Sequence, residues 1–352
     1  DITTGAKNGL KLADLRGVDY NDSKWDDLLD EMSIDDLQQT IGFGGYQTAA
    51  VDSVGKVRTN DCDGPASINN NFTGVGSVGF PAATLIGMTW SKDLAHDFGD
   101  SIGKMANEMN TSGWYGPAMN IHRTAFSGRN FEYYSEDGVL SGAMAASAIA
   151  GAQEHGVYAY MKHFALNDCE QDRIGLGVWL NEQAAREVYL KAFQAPVEVG
   201  NGNGVMIAYT RWGAVWSGGN YGLVTGILRN EWGCDGMVIT DNVLTQYVNG
   251  PDGVLAGVSI YDAMMSFVTD TLPQYKNDPV IVTAMREACH HNLYAIANSC
   301  GMNGVGADTT IKVQELPLVS MLKNIARISA VLFVVFIVLW VLGGARLKIR
   351  HC

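Results

Sequence analysis

The chain of 352 residues is 47% hydrophobic and 17% charged, the balance of a polypeptide that buries a core, and its formal net charge is −13. That acidity argues against a nucleic-acid partner, which would need a basic face, and fits a neutral substrate. Six cysteines, Cys62, Cys169, Cys234, Cys289, Cys300 and Cys352, contain no C-x-x-C pair, so neither a zinc site nor a dense disulfide framework is expected and free thiols are.

Residues 1–40 read as a lead-in with one amphipathic helix, with Ser33 as N-cap and Asp35 and Asp36 in the first turn. A turn follows at Gly42–Gly45. Short apolar runs then alternate with helical patterns. Leu94–Met109 has helical period, and a short strand closes at Asn120 and Ile121 after Ala118. Ser141–Gln153 is a small-residue helix, Val157–Phe164 a strand, Glu182–Val199 a helix, Val205–Tyr209 a strand, Tyr221–Glu231 a helix and Met237–Thr240 a strand. Pro279–Ala297 is a helix with Asp278 as its cap. This alternation predicts a parallel α/β architecture, and residues 41–305 suit a closed (β/α)8 TIM-type barrel. A doubly wound sheet is the rival, but no G-x-G-x-x-G sits between a strand and a helix.

Near the C-terminus, after a linker at 306–327, Ile328–Ala345 carries no charge. As a helix it would span roughly 27 Å, enough for a single transmembrane helix. Trp340 suits an interface, and Arg346, Lys348 and Arg350 form a short basic tail at 346–352. The positive-inside rule places that tail in the cytoplasm and the main domain outside a cell membrane. A buried core helix is the alternative. A start at Asp1 with no signal peptide reads as processing or as part of a longer polypeptide.

Working residues of a barrel lie at the C-terminal ends of its strands. Three predicted ends are polar: Lys162-His163, then Tyr209 with Arg211, then Asp241. Asp241 is equally well explained as a cap of the next helix. Lys162 and His163 would face opposite sides of a continuing strand, so both serve a site only if the strand has ended.

These residues carry a resemblance. The run Gly116–Arg123, with Gly128-Arg129-Asn130-Phe131-Glu132-Tyr133-Tyr134-Ser135-Glu136-Asp137, resembles the signature of the family 3 β-glucosidases. So do Asp63-Gly64-Pro65, Lys162-His163-Phe164 with Asn167, Glu170 and Arg173, Val205-Met206 with Tyr209, and Met237–Asp241. The similarity covers roughly residues 10 to 305 in the family's order. It implies a retaining glycoside hydrolase acting on β-linked glucosides or oligosaccharides, with Asp241 as nucleophile. It further implies that Asp63, Arg129, Lys162, His163, Met206 and Tyr209 bind the terminal sugar. Charged, bidentate hydrogen bonds are the strong ones for reading sugar hydroxyls. Cations near Asp241 are expected to hold its pKa down, which suits a nucleophile.

Two departures bear on specificity. Asn242 stands where many members have Trp, so Trp212 or Trp216 is a candidate to line the pocket, and Ala66–Asn70 replaces an expected Arg. A larger one bears on mechanism. The sandwich domain that carries the acid/base in such enzymes does not follow the barrel, so an upstream segment or a partner chain is expected to supply it, as in a permuted, membrane-anchored member. A β-xylosidase and a surface-anchored, non-catalytic sugar-binding protein are the rivals. Asp61 and Asp63 flank Cys62, but the other oxygen ligands of a calcium loop are not in place, so no metal and no cofactor is implied.

Overall fold

The computed structural model describes residues 2–243, 245, 247–263, 272–310 and 317–349. It divides into two compact units, Asp1–Thr309 and Thr310–Cys352. Cys352 and the side chains of the expected basic tail lie outside the described residues; the five described cysteines are free.

The first unit opens with helices α1 (Lys24–Glu31) and α2 (Ile34–Gly42). The Ser33 hydroxyl accepts from the Asp36 N–H at 3.1 Å and the Asp36 carboxylate accepts from the Ser33 N–H at 2.9 Å, a reciprocal cap that fixes where α2 begins. Strands β1 (Gln47–Thr48), β2 (Thr59–Asp63), β3 (Asn69–Asn70) and β4 (Val75–Gly76) come next, then α3 (Ala83–Met88) and α4 (Lys92–Glu108). From there the order is β5 (Gly113–Tyr115), α5 (Gly138–Gln153), β6 (Tyr158–Phe164), β7 (Gly177–Val178), α6 (Glu182–Ala184), α7 (Lys191–Glu198) and β8 (Gly204–Ile207). Strands β9 (Arg211–Trp212), β10 (Val215–Trp216) and β11 (Met237–Thr240) precede α8 (Gly250–Ala256) and α9 (Pro279–Ala297).

The alternation produces the expected α/β class. Strands β2, β5, β6, β8 and β11 pair in parallel in that spatial order. The short β1, β3 and β4 add antiparallel pairs at the β2 end, and β10, β9 and β7 make a separate small sheet. Every residue of β6, β8 and β11 is buried, as a parallel sheet covered on both faces requires. The regular ladders describe an open sheet. Beyond its edges the backbone continues to pair through single hydrogen bonds. Thr240 N–H donates to Ile260 O at 3.1 Å, Tyr261 N–H to Ile41 O at 2.8 Å, Gly45 N–H to Ala263 O at 3.2 Å and Asp61 N–H to Tyr46 O at 2.9 Å.

Three local expectations need correction. The strand expected to close at Asn120 is regular only over Gly113–Tyr115, and Ala118 makes one isolated bridge to Lys162. Pro117 has no N–H to give a ladder. The helix expected over 182–199 is instead α6, a wider π turn at Ala185–Tyr189, and α7 with Pro196 inside it. Gly222–Glu231 is likewise π-helical. Apolar periodicity reports which face is buried, and is nearly blind to whether the backbone closes over four residues or five.

Helices α4 and α5 cross at van der Waals distance through glycines. A Cβ at Gly99 would fall inside the Ala148 carbonyl, and one at Gly151 inside the His96 carbonyl. Both obstacles are backbone, which cannot swing aside. Gly99→Ala should therefore destabilise the unit by about 1–3 kcal/mol through overpacking, measured by denaturant unfolding.

In the second unit, helix α10 runs Pro317–Ile349. Its stretch Ser320–Leu342 is long and apolar enough to cross a membrane, with a mean hydropathy of 2.7. It starts earlier than the uncharged run because Lys323 and Arg327 continue the same helix.

Candidate active site

The candidate side chains come from the C-terminal ends of the parallel strands. Asp63 ends β2, Lys162 and His163 lie at the end of β6, Tyr209 follows β8 and Asp241 follows β11. Arg129 arrives from the long loop after β5.

How Lys162 and His163 both serve one site is decided by the register of β6. Lys162 pairs with Met206 and Phe164 with Ile207, so the ladder slips and His163 is left without a partner on β8. Such a bulge re-aims one side chain. Asn120 takes up the stranded backbone: its Oδ1 accepts from His163 N–H at 2.7 Å and its Nδ2 donates to His163 O at 2.9 Å. Asn120 thus does the work of a ladder, and the two basic residues point into the same region.

Lys162 Nζ donates to Asp63 Oδ1 at 2.7 Å, and the lysine is only 4% exposed whereas Asp63 is 42% exposed. The ammonium is therefore presented through a half-open carboxylate. Burial pushes the Asp63 pKa up, but the Lys162 charge and hydrogen bond, the Gly64 N–H and Arg129 outweigh it, and the carboxyl is held below its ordinary value.

Arg129 donates through Nε to Glu132, and its Nη1 lies 3.1 Å from His163 Nε2 and 3.7 Å from Glu170 Oε1. A guanidinium has no lone pair to accept with, so His163 Nε2 is the acceptor and the ring is neutral with its proton on Nδ1. Nδ1 faces the Tyr133 hydroxyl at 3.3 Å. Burial first, then Arg129, Lys162 and Arg173, hold the His163 pKa well below normal, in agreement with that tautomer. The 3.8 Å approach of His163 Nε2 to Asp241 Oδ2 is consequently not an ion pair.

Glu170 is fixed by Asn167 Nδ2 at 2.8 Å and by Arg173 Nη1 at 3.0 Å. The Arg173 guanidinium in turn lies 4.7 Å over the Tyr209 ring, a cation–π contact. Tyr209 OH donates to Asn242 O at 2.6 Å and Tyr247 OH to Asp241 O at 2.7 Å, so two tyrosines hold the backbone that carries Asp241.

Asp241 is 14% exposed. Its Oδ1 accepts from the Asn242 N–H at 2.7 Å, and its buried Oδ2 has no hydrogen-bond partner. The expectation that cations would lower its pKa is overturned. Burial raises it, and the Asn242 N–H, Arg173, Lys162 and Arg129 only partly pull it back, so the net shift is upward. Charges can be counted in a sequence, but the desolvation that opposes them cannot.

The structure thus gathers Asp63, Arg129, Lys162, His163, Tyr209 and Asp241. Met206 lies buried on β8, between Lys162 and Ile239 across the two ladders. Of the two tryptophans expected to line the pocket, Trp216 is pinned in place. Trp216 is buried, donates from Nε1 to Ala208 O at 3.0 Å and packs edge-on to Tyr247, while Trp212 is half-buried in β9. Sequence reasoning passed over the anchoring by Tyr247 and the carboxyl of Asp262. Asp262 is 2% exposed at the end of the run Val258–Tyr261, with Oδ1 lacking any hydrogen-bond partner. A polar residue closing an apolar run was the available signal, the same one that marks Asp241. Among the described residues, no group of three or more His, Cys, Asp or Glu is placed to hold a metal ion.

Charged side chains gathered at the C-terminal ends of parallel strands are the arrangement of an α/β enzyme. The particular family follows from residues 68–254, which match the Glycosyl hydrolase family 3 N terminal domain, and the chain belongs to that family. It is 39% identical over 206 residues to β-glucosidase A of Butyrivibrio fibrisolvens, covering 58% of this chain and 24% of that protein. It is 35% identical over 220 residues to a β-glucosidase of Rhizobium radiobacter, covering 61% and 27%. Among solved structures, a β-glucosidase from Paenibacillus barengoltzii superimposes with a TM-score of 0.78 at 27% identity, over 90% of this chain and 36% of that one. β-Glucosidase 3B of Thermotoga neapolitana, solved with α-D-glucose, gives 0.72 at 27% identity, over 78% and 43%. The matches to the two bacterial relatives span about a quarter of those proteins' length.

Lys162→Met removes the charge and the hydrogen bond that hold Asp63 down and leaves its burial in place. The Asp63 carboxyl should then titrate higher than in the unaltered protein, read from the pH dependence of its 13C carboxyl resonance.

Proposed function

We propose that this chain is the barrel portion of a retaining β-glucosidase, which removes terminal β-D-glucosyl residues through a glycosyl-enzyme on Asp241. The observation that carries the reading is the state of Asp241 Oδ2. It is a buried carboxylate oxygen with no hydrogen-bond partner, at a strand end, with Arg173, Lys162 and Arg129 acting on it. An oxygen whose lone pairs are not engaged is the one able to attack an anomeric carbon, and the nearby cations stabilise its anion. Asp63 offers an acceptor, and Lys162 and Arg129 charge-assisted donors, to the hydroxyls of one sugar ring, with His163, Met206 and Tyr209 lining the same subsite.

The reading of a closed (β/α)8 barrel is supported by the single backbone bonds that run from β11 through residues 258–263 and 41–46 to β2. A retaining mechanism needs a protonated acid about 5–5.5 Å from the nucleophile. The carboxyls around Asp241 are engaged or shielded: Asp63 by Lys162, Glu170 by Arg173 and Asn167, Asp262 by burial. That favours an acid/base supplied from outside this chain, by another segment of the polypeptide or a partner. The length and apolarity of Ser320–Leu342 support a membrane anchor, and the basic residues Arg346, Lys348 and Arg350 that follow it in the sequence favour the extracytoplasmic side for the catalytic unit.

The test is hydrolysis of 4-nitrophenyl β-D-glucoside by this chain alone and by the full-length polypeptide. An activated leaving group needs little acid, so slow turnover by the chain alone is expected, and Asp241→Ala should abolish it. With an unactivated glucoside the longer protein should be faster by about 10²–10⁴, the usual contribution of a general acid. Activity that survives Asp241→Ala, or no turnover by either protein, removes this reading. Made with α10 intact, the protein should remain in the membrane pellet after carbonate extraction; recovery in the supernatant removes the anchor.

A further inference from the structure

Asp241 is not the only buried carboxyl with an unengaged oxygen at this end of the sheet. Asp262 lies on the neighbouring segment, where its N–H donates to Thr240 Oγ1 at 3.0 Å and its carbonyl accepts from Val243 N–H at 2.8 Å. Those two bonds tie the Asp262 backbone to the residues on either side of Asp241. Asp262 Oδ1 and Asp241 Oδ2 are both buried and both lack any hydrogen-bond partner. Leaving two full negative charges in that state would incur the desolvation of both and their mutual repulsion.

The groups that act on Asp262 are nearly all acidic or phenolic. Asp61 and Asp63 come from β2, Asp241 from the end of β11, and Lys162 from β6 is the one cation that lowers its pKa among the leading influences. Tyr115 of β5, Tyr160 of β6, and Tyr46, Tyr209 and Tyr247 from the surrounding loops lie within range of the charge Asp262 would carry if ionised. Lys162 is already committed to Asp63. Burial and the three carboxylates accordingly drive Asp262 well above the ordinary carboxyl range.

We propose that Asp262 is a positioning residue for Asp241: a carboxylic acid that stays protonated beside the ionised nucleophile, so that the two carry one negative charge between them. Its proton gives the site a donor whose dipole adds to the field of the cations in keeping the neighbouring carboxylate anionic. The part played toward Asp241 rests on the nucleophile reading above; the protonation state does not.

The sign of its linkage to stability is fixed. An Asp with a raised folded pKa binds more protons folded than unfolded, so stability falls as pH rises from about 3.9 toward the folded value. Asp262→Asn removes that slope. Relative to the unaltered chain, its thermal midpoint should climb steadily between about pH 4 and 7. A deficit that deepens with pH, as for an ionised Asp262 paired with Lys162, overturns the proposal, and so does a difference independent of pH. The second readout is labelling of Asp241 by 2,4-dinitrophenyl 2-deoxy-2-fluoro-β-D-glucoside as a function of pH. Asp262→Leu should move the acid limb up by about one pH unit, and Asp262→Asn, which keeps a donor, should restore most of it. Coincident limbs in all three proteins overturn the positioning role. Failure of every protein to label contradicts the nucleophile reading and with it the positioning role, while the stability series still decides whether Asp262 is protonated.

Discussion

Everything at the site turns on one electrostatic balance: a carboxyl taken out of water at the end of β11, with one oxygen left unengaged. Desolvation disfavours its charge, and Arg173, Lys162, Arg129 and the Asn242 N–H oppose that penalty without cancelling it. The surrounding architecture serves to keep those cations near Asp241 while preventing them from binding it. Lys162 is occupied by Asp63, Arg129 by Glu132, and Arg173 by Glu170 and the Tyr209 ring. Each cation supplies field rather than a direct bond, and the unengaged oxygen survives.

The fold achieves this through a defect in an otherwise regular ladder. A perfect β6 would send Lys162 and His163 to opposite faces. The slip between Lys162 and Phe164, with the Asn120 amide replacing the lost ladder bonds, brings both to one side. His163 then stays neutral because it is buried and Arg129 claims its Nε2 lone pair, which keeps the ring from competing as a cation for Asp241. Sequence neighbours therefore play opposite electrostatic parts, one charged and one neutral.

Much of this was legible in the amino-acid sequence, and the limits are instructive. Met237–Thr240 is a buried strand in pattern and in fact, so Asp241 was set at a strand end by position, while its choice over a helix cap came from the resemblance. Arg129 was found only through resemblance, because a loop residue has no periodicity to betray it. The pair Lys162-His163 stayed ambiguous because a bulge is a backbone event with no side-chain signature here. Asp262 was missed because residues 258–263 pair by single bonds rather than as a long strand. The direction of the Asp241 shift was misjudged because burial depends on the whole packed unit. Where several distant segments must meet, local pattern is silent.

The central claim is that the unengaged oxygen of Asp241 is the nucleophile. Its most direct test is to inactivate the protein with 2,4-dinitrophenyl 2-deoxy-2-fluoro-β-D-glucoside, digest it, and locate the added sugar by mass spectrometry. The account predicts one fluoroglucosyl group per chain, on the peptide containing Asp241 and attached to that residue. A label on Asp63, Glu170 or Asp262 instead, or an intact chain mass under conditions where the substrate is turned over, would contradict it.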